Sequence, residues 1–164
     1  MGPLVKSLVS KDDLGIPVDR PDAQDQLRRR AVARGRIAMH EQTVSSVAAN
    51  TMKKGDVLGA ARFAGVQAAK GAASYLPLCV PVLVRSTTVA FELTGDAIEV
   101  EAVVEAVAFA GAEMHALVAV TAAMLTIYDM CKSADRTMII GPVALVERSG
   151  DPSTDWRRDE DCEA

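Results

Sequence analysis

The C-terminal end of one long apolar segment carries the residues best suited to proton transfer. Asp129 and Lys132 lie three positions apart within the sequence YDMCK, residues 128–132. In a helix this spacing places a carboxylate and an ammonium group on the same side, close enough to pair. The spacing alone favours an ordinary salt bridge at a helix end. The alternative is a catalytic pair whose pKa values are tuned by partial burial.

Further charged residues flank a glycine-containing segment, DVLGAARFAGVQAAKGAAS, at residues 56–74. Asp56 is placed to cap a helix N-terminus. Lys54 lies just before it, where a helix N-terminus already favours an anion, although solvated lysines are the more common outcome. Lys70 lies within Ala and Gly residues and would need a partner or an edge position. Lys54 is therefore a candidate anion ligand.

Two other segments could line a pocket. The sequence PLCVP, residues 77–81, is a rigid apolar connection, in which Cys79 fits a small buried hydrophobe better than a nucleophile. Glu113 and His115 flank Met114 at the start of the long apolar segment, where Glu113 complements the dipole of a helix. Taken alone, neither segment indicates a particular reaction.

Composition and charge exclude several classes of protein. A chain of 164 residues favours one domain, and its net charge of -4 argues against a general nucleic-acid binder. Cys79, Cys131 and Cys162 form no CxxC pair, which fits a reduced cytosolic setting. The N-terminus lacks the apolar run of a signal peptide, and no apolar run approaches the ~20 residues that span a bilayer. We therefore expect a soluble cytoplasmic protein without a membrane partner.

Alternating hydrophobicity predicts a β-hairpin over residues 82–108, with a turn at Thr94-Gly95-Asp96. In its second half, apolar residues such as Val100 alternate with glutamates, so one face is buried. A last strand is predicted at residues 137–146, interrupted by Gly141-Pro142.

Helices are predicted over residues 22–36, 56–74 and 112–136. The first has acidic residues early and arginines late, as the helix dipole favours, and it would hold Arg28–Arg30 on a mostly solvated face. The third is apolar on nearly every side, which indicates burial against both the sheet and a partner chain.

Together the segments predict an α+β fold, an antiparallel sheet with helices packed on one face. The domain is expected to cover residues 18–150. Residues 1–17 are expected to form a loose N-terminal arm, and residues 151–164 a disordered polar tail.

Four segments stand in the order and spacing of one known family. They are KGDVLGAARFAGVQAAK (54–70), LPLCVP (76–81), GAEMHALVAVTAAMLTIYDMCKSADR (111–136) and IIGPV (139–143). Over residues 18–150 the chain thereby resembles the cyclic pyranopterin monophosphate synthase (MoaC) family of molybdenum cofactor biosynthesis. LTIYDMCK is a highly specific block.

The resemblance implies a ferredoxin-like fold and a homohexamer, a trimer of dimers with active sites at subunit interfaces. It also implies a lyase that acts on a GTP-derived cyclic nucleotide, (8S)-3',8-cyclo-7,8-dihydroguanosine 5'-triphosphate. The products are cyclic pyranopterin monophosphate and pyrophosphate, and no metal or other cofactor is implied.

Carried over residue by residue, the resemblance assigns catalytic roles to Asp129, Lys132 and Lys54. Lys70 and Arg29 match basic residues that hold the triphosphate of the substrate. The remaining substrate-binding positions are Leu78, Cys79, Val80, Glu113, Met114 and His115.

Several departures from the family pattern bear on activity. Val80 stands where the family has histidine, and His115 where it has glutamate. Gly71-Ala72 replaces Arg-Thr, Arg148 replaces a lysine, and the glycine- and lysine-bearing sequence that follows is lost. Since valine can neither donate, accept nor carry charge, two hypotheses arise. One is an active synthase in which His115 takes over part of the role of the missing imidazole. The other is a catalytically impaired or repurposed paralog that binds a nucleotide or a partner protein.

Overall fold

Alternating small apolar and charged side chains build the sheet of the protein, which a computed structural model describes over residues 27–159. Neighbouring strands are antiparallel and lie in the order β2-β3-β1-β4-β5. Their bounds are Arg28–Ala38 (β1), Leu83–Leu93 (β2), Ala97–Val107 (β3), Ile139–Ser149 (β4) and Trp156–Arg157 (β5). The predicted hairpin is confirmed as β2 and β3, and the predicted last strand as β4, which runs on to Ser149.

The helices are α1 (Glu41–Ala48), α2 (Val57–Lys70), α3 (Ala72–Tyr75) and α4 (Glu113–Cys131). α4 packs on β1, β3 and β4, while α2 packs on α4 and β2. The predicted α+β fold, with helices on an antiparallel sheet, is confirmed. α1 has no counterpart among the predicted helices, and α4 ends five residues before the predicted boundary.

The first predicted helix is wrong, because residues 28–36 belong to β1; residues 22–26 lie outside the described part of the chain. Ala31 and Ile37 are fully buried on the strand face that meets α4. The arginines at even positions therefore face the opposite side. Over residues 33–38, buried residues alternate with more exposed ones. This alternation, rather than the gradient of charge, agrees with the observed strand.

The sheet face turned away from α2 and α4 is here called the open face. Ion pairs cross it from strand to strand: Arg34 pairs with Glu101 at 2.7 Å, and Arg36 with Asp96 at 2.8 Å and Glu99 at 3.3 Å. Cross-strand pairs of opposite charge stabilise a sheet modestly. They let a row of arginines occupy one strand without mutual repulsion.

The contact between α4 and β1 depends on a glycine. A Cβ atom on Gly35 would lie 2.6 Å from Val120 Cγ1 and 2.7 Å from Met124 Cε, so the helix approaches the strand more closely than a larger residue would allow.

α4 is long and apolar enough to cross a membrane. However, it packs on both the sheet and α2, which confirms its burial on more than one side and makes it the core helix of a folded domain.

α2 begins where its sequence predicts, but it ends at Lys70 rather than at residue 74, and Gly71 separates it from α3. The carboxylate of Asp56 caps the helix by accepting a hydrogen bond from Gly59 N at 2.8 Å. A Cβ atom on Gly65 would lie 3.0 Å from the carbonyl oxygen of Ala119 and 3.0 Å from Val89 Cγ2. The backbones of α2 and α4 therefore pack closely at Gly65.

The polar tail is more structured than predicted in the part that the structure describes. Trp156 and Arg157 form β5, which pairs with the end of β4, and Arg158 Nε donates to Leu145 O at 3.0 Å. Residues 160–164, and the predicted arm at residues 1–17, lie outside the described residues.

We expect Gly35→Ala to lower the free energy of unfolding by about 1–3 kcal/mol, the usual cost of adding atoms to a packed core. Gly95→Ala is the matched control, because a Cβ atom there would have no neighbour within 4 Å. Urea unfolding of both variants measures the difference. Equal effects would contradict the close contact between α4 and β1.

Candidate active site

Three charged side chains predicted from the sequence meet at the C-terminal end of α4. Lys132 Nζ lies 2.7 Å from Asp129 Oδ1, and Lys54 Nζ lies 3.0 Å from Asp129 Oδ2. Lys54 Nζ also donates to the backbone carbonyl of Asp129 at 2.8 Å. Since α2 and α4 pack antiparallel, the turn that precedes α2 comes to the end of α4. We call these three residues the lysine–aspartate cluster.

Electrostatics keep Asp129 and Lys132 charged. Hydrogen bonds from Lys132 and Lys54 lower the pKa of Asp129 to about 2, and the bond to Asp129 raises the pKa of Lys132. The carboxylate and the Lys132 ammonium group are therefore both charged at neutral pH. About half of each of the three side chains is exposed, so solvent screens the pairs and they contribute little to stability.

A cavity of about 400 Å³ opens beside the cluster, lined by Tyr128, Lys132, Ser133 and Arg136. Its second cation, Arg136, was not singled out from the sequence. α4 ends at Cys131, so it is the following turn, rather than helical spacing, that brings Arg136 to the cavity. Two cations and two hydroxyl groups suit an anionic, hydrogen-bonding ligand.

A buried carboxylate holds this turn in place. The side chain of Asp135 is 1% exposed and accepts hydrogen bonds from His40 N at 2.8 Å, Thr137 N at 2.9 Å and Thr137 Oγ1 at 2.7 Å. Burial opposes its ionisation, but these bonds outweigh that effect and lower the pKa of Asp135 to about 2. Asp135 thus ties the turn after Lys132 to the start of α1, a link between distant residues that sequence spacing does not reveal.

A second group of predicted site residues lies at the opposite end of α4. Glu113 pairs with Arg148 at 2.7 Å, which joins the first turn of α4 to β4. Arg29 donates to the carbonyl oxygen of Gly150 and lies 3.7 Å from the carboxylate of Asp151. Arg29, Glu113 and Arg148 line one small crevice between these elements.

The other predicted residues at this end differ in exposure. Leu78 and Val80 are 96% and 60% exposed on the connection before β2, and Cys79 is half-buried between them. Lys70 is exposed at the last position of α2, where its charge complements the helix dipole. Met114 is 43% exposed.

His115 does not share this exposure. Its side chain is buried, and Nδ1 has no hydrogen-bond partner among the described residues. Burial lowers the pKa of His115, and the nearby Glu113 carboxylate opposes that shift. His115 lies one helical turn before Ala119, whose backbone contacts α2 at Gly65. The neutral imidazole is therefore buried near the start of α4, within reach of the charge on Glu113.

The predicted site residues thus form two groups within one chain. The lysine–aspartate cluster lies at the C-terminal end of α4, while Glu113 lies at the N-terminal end, roughly 24 Å from Asp129 at about 1.5 Å per helical residue. Arg29 lines the same crevice as Glu113. Lys70 is the last residue of α2, at the end away from Lys54, and the connection at residues 76–82 leads into Leu83, which pairs with Val107 at the end of β3. No side chain bridges such a distance.

We expect Asp135→Asn to lower the free energy of unfolding by roughly 2–4 kcal/mol at pH 7, because buried donors lose a charged acceptor. Since the pKa of Asp135 falls from an ordinary 3.8 to about 2 on folding, its contribution is complete above pH ~4 and lost as the pH falls to ~2. Denaturant unfolding from pH 7 to pH 2 should therefore show the two proteins converging in acid.

Asp56→Asn is the control for that measurement, since asparagine caps a helix about as well as aspartate. A difference between wild type and Asp135→Asn that stayed constant down to pH 2 would contradict the role of the ionised carboxylate.

Comparison with known proteins agrees with the resemblance. The sequence profile of the MoaC family matches residues 21–151. The protein named cyclic pyranopterin monophosphate synthase in Roseiflexus sp. (strain RS-1) is 46% identical over 139 residues, covering 84% of this chain and 88% of that protein. The protein of the same name in Thermoanaerobacter sp. (strain X514) is 43% identical over 138 residues, covering 83% and 87%. That in Roseiflexus castenholzii (strain DSM 13941 / HLO8) is 48% identical over 132 residues, covering 78% and 82%. Because these matches extend over most of its length, the chain belongs to the MoaC family.

Proposed function

We propose that the protein is a cyclic pyranopterin monophosphate synthase of molybdenum cofactor biosynthesis. Its substrate is the GTP-derived cyclic triphosphate, and its products are cyclic pyranopterin monophosphate and pyrophosphate. The observation that carries this proposal is the contact of Lys54, Asp129 and Lys132 in a chain of this family. The relatives named above carry the same activity in their names.

The charges of the cluster define what each group contributes to the reaction. Lys54 and Lys132 offer hydrogen-bond donors and anion-binding groups, which suit a substrate that carries phosphate groups and whose ring is opened and rebuilt. Asp129, with a pKa of about 2, remains an anion that holds both lysines in position. Anionic and hydrogen-bonding groups of a bound substrate would replace part of the pairing between the two lysines and Asp129.

We further propose that the complete site forms between copies of the chain. The lysine–aspartate cluster and the group around Glu113 lie too far apart within one chain to act on one substrate. Large apolar side chains are exposed on the outer surfaces of both helices, with Phe63 68% and Leu125 55% exposed, as is common at protein interfaces. A cytoplasmic homohexamer, a trimer of dimers, is the assembly that the family resemblance favours.

The direct test is incubation of the protein with the cyclised GTP derivative, followed by detection of the pyranopterin and pyrophosphate. We expect Lys54→Ala to reduce turnover by about 10²–10⁴-fold, the usual contribution of one acid–base group, without loss of thermal stability. Lys53→Ala is the matched control, since it removes the neighbouring exposed lysine. Comparable losses in both variants, or unfolding of Lys54→Ala, would contradict a catalytic role.

A complementation experiment tests the shared site. Lys54→Ala and Lys70→Ala change groups at opposite ends of the helical layer, so each variant alone should be nearly inactive. When the two are co-expressed, mixed assemblies would contain sites with both lysines intact, and activity should return in part. Activity no higher than the mean of the two variants, in assemblies shown to be mixed, would place the whole site in one chain.

Val80 generates a separate prediction, because the family carries histidine at this position. The connection is held between Pro77 and Pro81, and Val80 is exposed, so an imidazole there would reach a ligand without disturbing the core. We expect Val80→His to raise turnover, whereas Val80→Leu, which adds bulk without a titrating group, should not. The turnover of His115→Gln measures any contribution of the buried imidazole. If Val80→His does not raise turnover, the missing histidine does not limit the rate.

A further inference from the structure

The segment that follows β4 covers the crevice lined by Arg29, Glu113 and Arg148. Residues 151–158 of this segment are here called the strap. The crevice has a volume of about 10 Å³, which is room for one water molecule at most, and the side chain of Arg29 is only 12% exposed. A phosphate group does not fit into this space. The crevice is therefore closed to a phosphorylated ligand while the strap is in place.

Asp151, the first residue of the strap, brings a carboxylate to the closed crevice. Its Oδ2 atom lies 3.7 Å from the guanidinium group of Arg29. The hydroxyl group and the backbone N–H of Ser153 donate to Oδ1 at 2.6 and 3.1 Å. These hydrogen bonds, together with the charges of Arg29 and Arg148, lower the pKa of Asp151. Asp151 is therefore an anion at neutral pH, and it offers Arg29 the kind of charge that a phosphate oxygen would bring.

The strap supplies most of the negative charge that lines the crevice. Among the described lining residues, the carboxylates of Asp151 and Asp155 belong to the strap, and that of Glu113 belongs to α4. The side chain of Asp155 also accepts a hydrogen bond from the backbone N–H of Asp151 at 2.9 Å, which links the two acids. Departure of the strap would therefore remove two negative charges from the crevice and uncover Arg29.

The strap is attached at its ends and exposed between them. At the far end, the backbone N–H of Arg158 donates to Val146 O at 2.8 Å, and its Nε donates to Leu145 O at 3.0 Å. Residues 152–157 are all exposed, and β5 contributes two residues to the sheet. Because the strap buries little apolar surface, its release costs less free energy than opening of the core.

We propose that Asp151 competes with the phosphate groups of the substrate for Arg29, so that the strap must leave the crevice before the substrate binds there. This inference rests on the proposed function, which makes Arg29 a ligand of the substrate triphosphate. A guanidinium group binds carboxylate and phosphate oxygens with the same geometry, and a carboxylate on the same chain competes at a high effective concentration. Only molecules with the strap released bind the anion, which lowers the apparent affinity. Asp151 thereby sets the affinity of this chain for its substrate.

Trp156 is the single tryptophan of the chain and lies in the strap, so its fluorescence reports where the strap is. Inorganic tripolyphosphate serves as the probe, and calorimetry of the full chain gives its affinity. We expect binding to shift the emission of Trp156 to longer wavelength, because the residue is 42% exposed with the strap in place and becomes fully exposed on release. Binding without a change in emission, or absence of binding, would overturn the proposal.

A charge-removing variant tests the competition itself. Asp151→Asn should tighten tripolyphosphate binding by about fivefold, the upper end for loss of one exposed charge pair. Asparagine still accepts the hydrogen bonds from Ser153, so the turn keeps its shape. Asp159→Asn is the matched control, because Asp159 is exposed just beyond the strap and does not line the crevice. Equal tightening in both variants would assign the effect to general charge, and no tightening in Asp151→Asn would remove the competitor; either result would overturn the proposal.

Turnover of the cyclised GTP derivative connects the strap to the proposed reaction. Asp151→Asn should lower KM by a factor similar to the gain in tripolyphosphate affinity and leave kcat unchanged, as expected when a competitor of substrate binding is removed. A change in kcat with KM unchanged would overturn the competition. Failure of the wild-type protein to form the pyranopterin would instead count against the proposed function, and the affinities and the emission of Trp156 would still decide whether the strap competes with a polyphosphate.

Discussion

The close contact between α4 and β1 is the constraint on which the rest of the structure depends. Gly35 lets the helix lie directly on the central strand, and the alanines of both elements fill the remaining space without large rings. Since aromatic residues make up only 4% of the chain, the core gains its stability from many small contacts. The rigid helix that results determines where the charged residues at each of its ends are held.

The sequence predicts the parts of this fold that depend on local patterns. The hairpin of β2 and β3 follows from alternation around Thr94-Gly95-Asp96, and the cap at Asp56 follows from one residue and its position. β1 was predicted wrongly because arginine and alanine are good helix formers and their charge gradient suits a helix. Pairing with β3 and β4, which is not local in sequence, overrides that preference.

The contacts of the candidate site also divide into those that are local in sequence and those that join distant residues. Three-residue spacing predicts the pairing of Asp129 with Lys132, whereas Lys54 reaches Asp129 only because α2 returns antiparallel to α4. The separation of Glu113 from Asp129 follows from the helix predicted over residues 112–136, since α4 contains both positions. The contacts of Arg136 and Asp135, in contrast, depend on a turn whose geometry the sequence pattern does not define.

The register between β2 and β3 shifts between Val84 and Ser86, so that Arg85 is the extra residue of a β-bulge. This bulge has a consequence for aggregation. Among the described strands, β2 forms one outer edge of the sheet, and a long regular edge is a template for pairing with further strands. The bulge breaks the regular repeat of hydrogen-bonding groups near the start of β2, and Arg85 adds a charge that an incoming strand would have to desolvate. The bulge and its arginine therefore protect the sheet against edge-to-edge growth into fibrils.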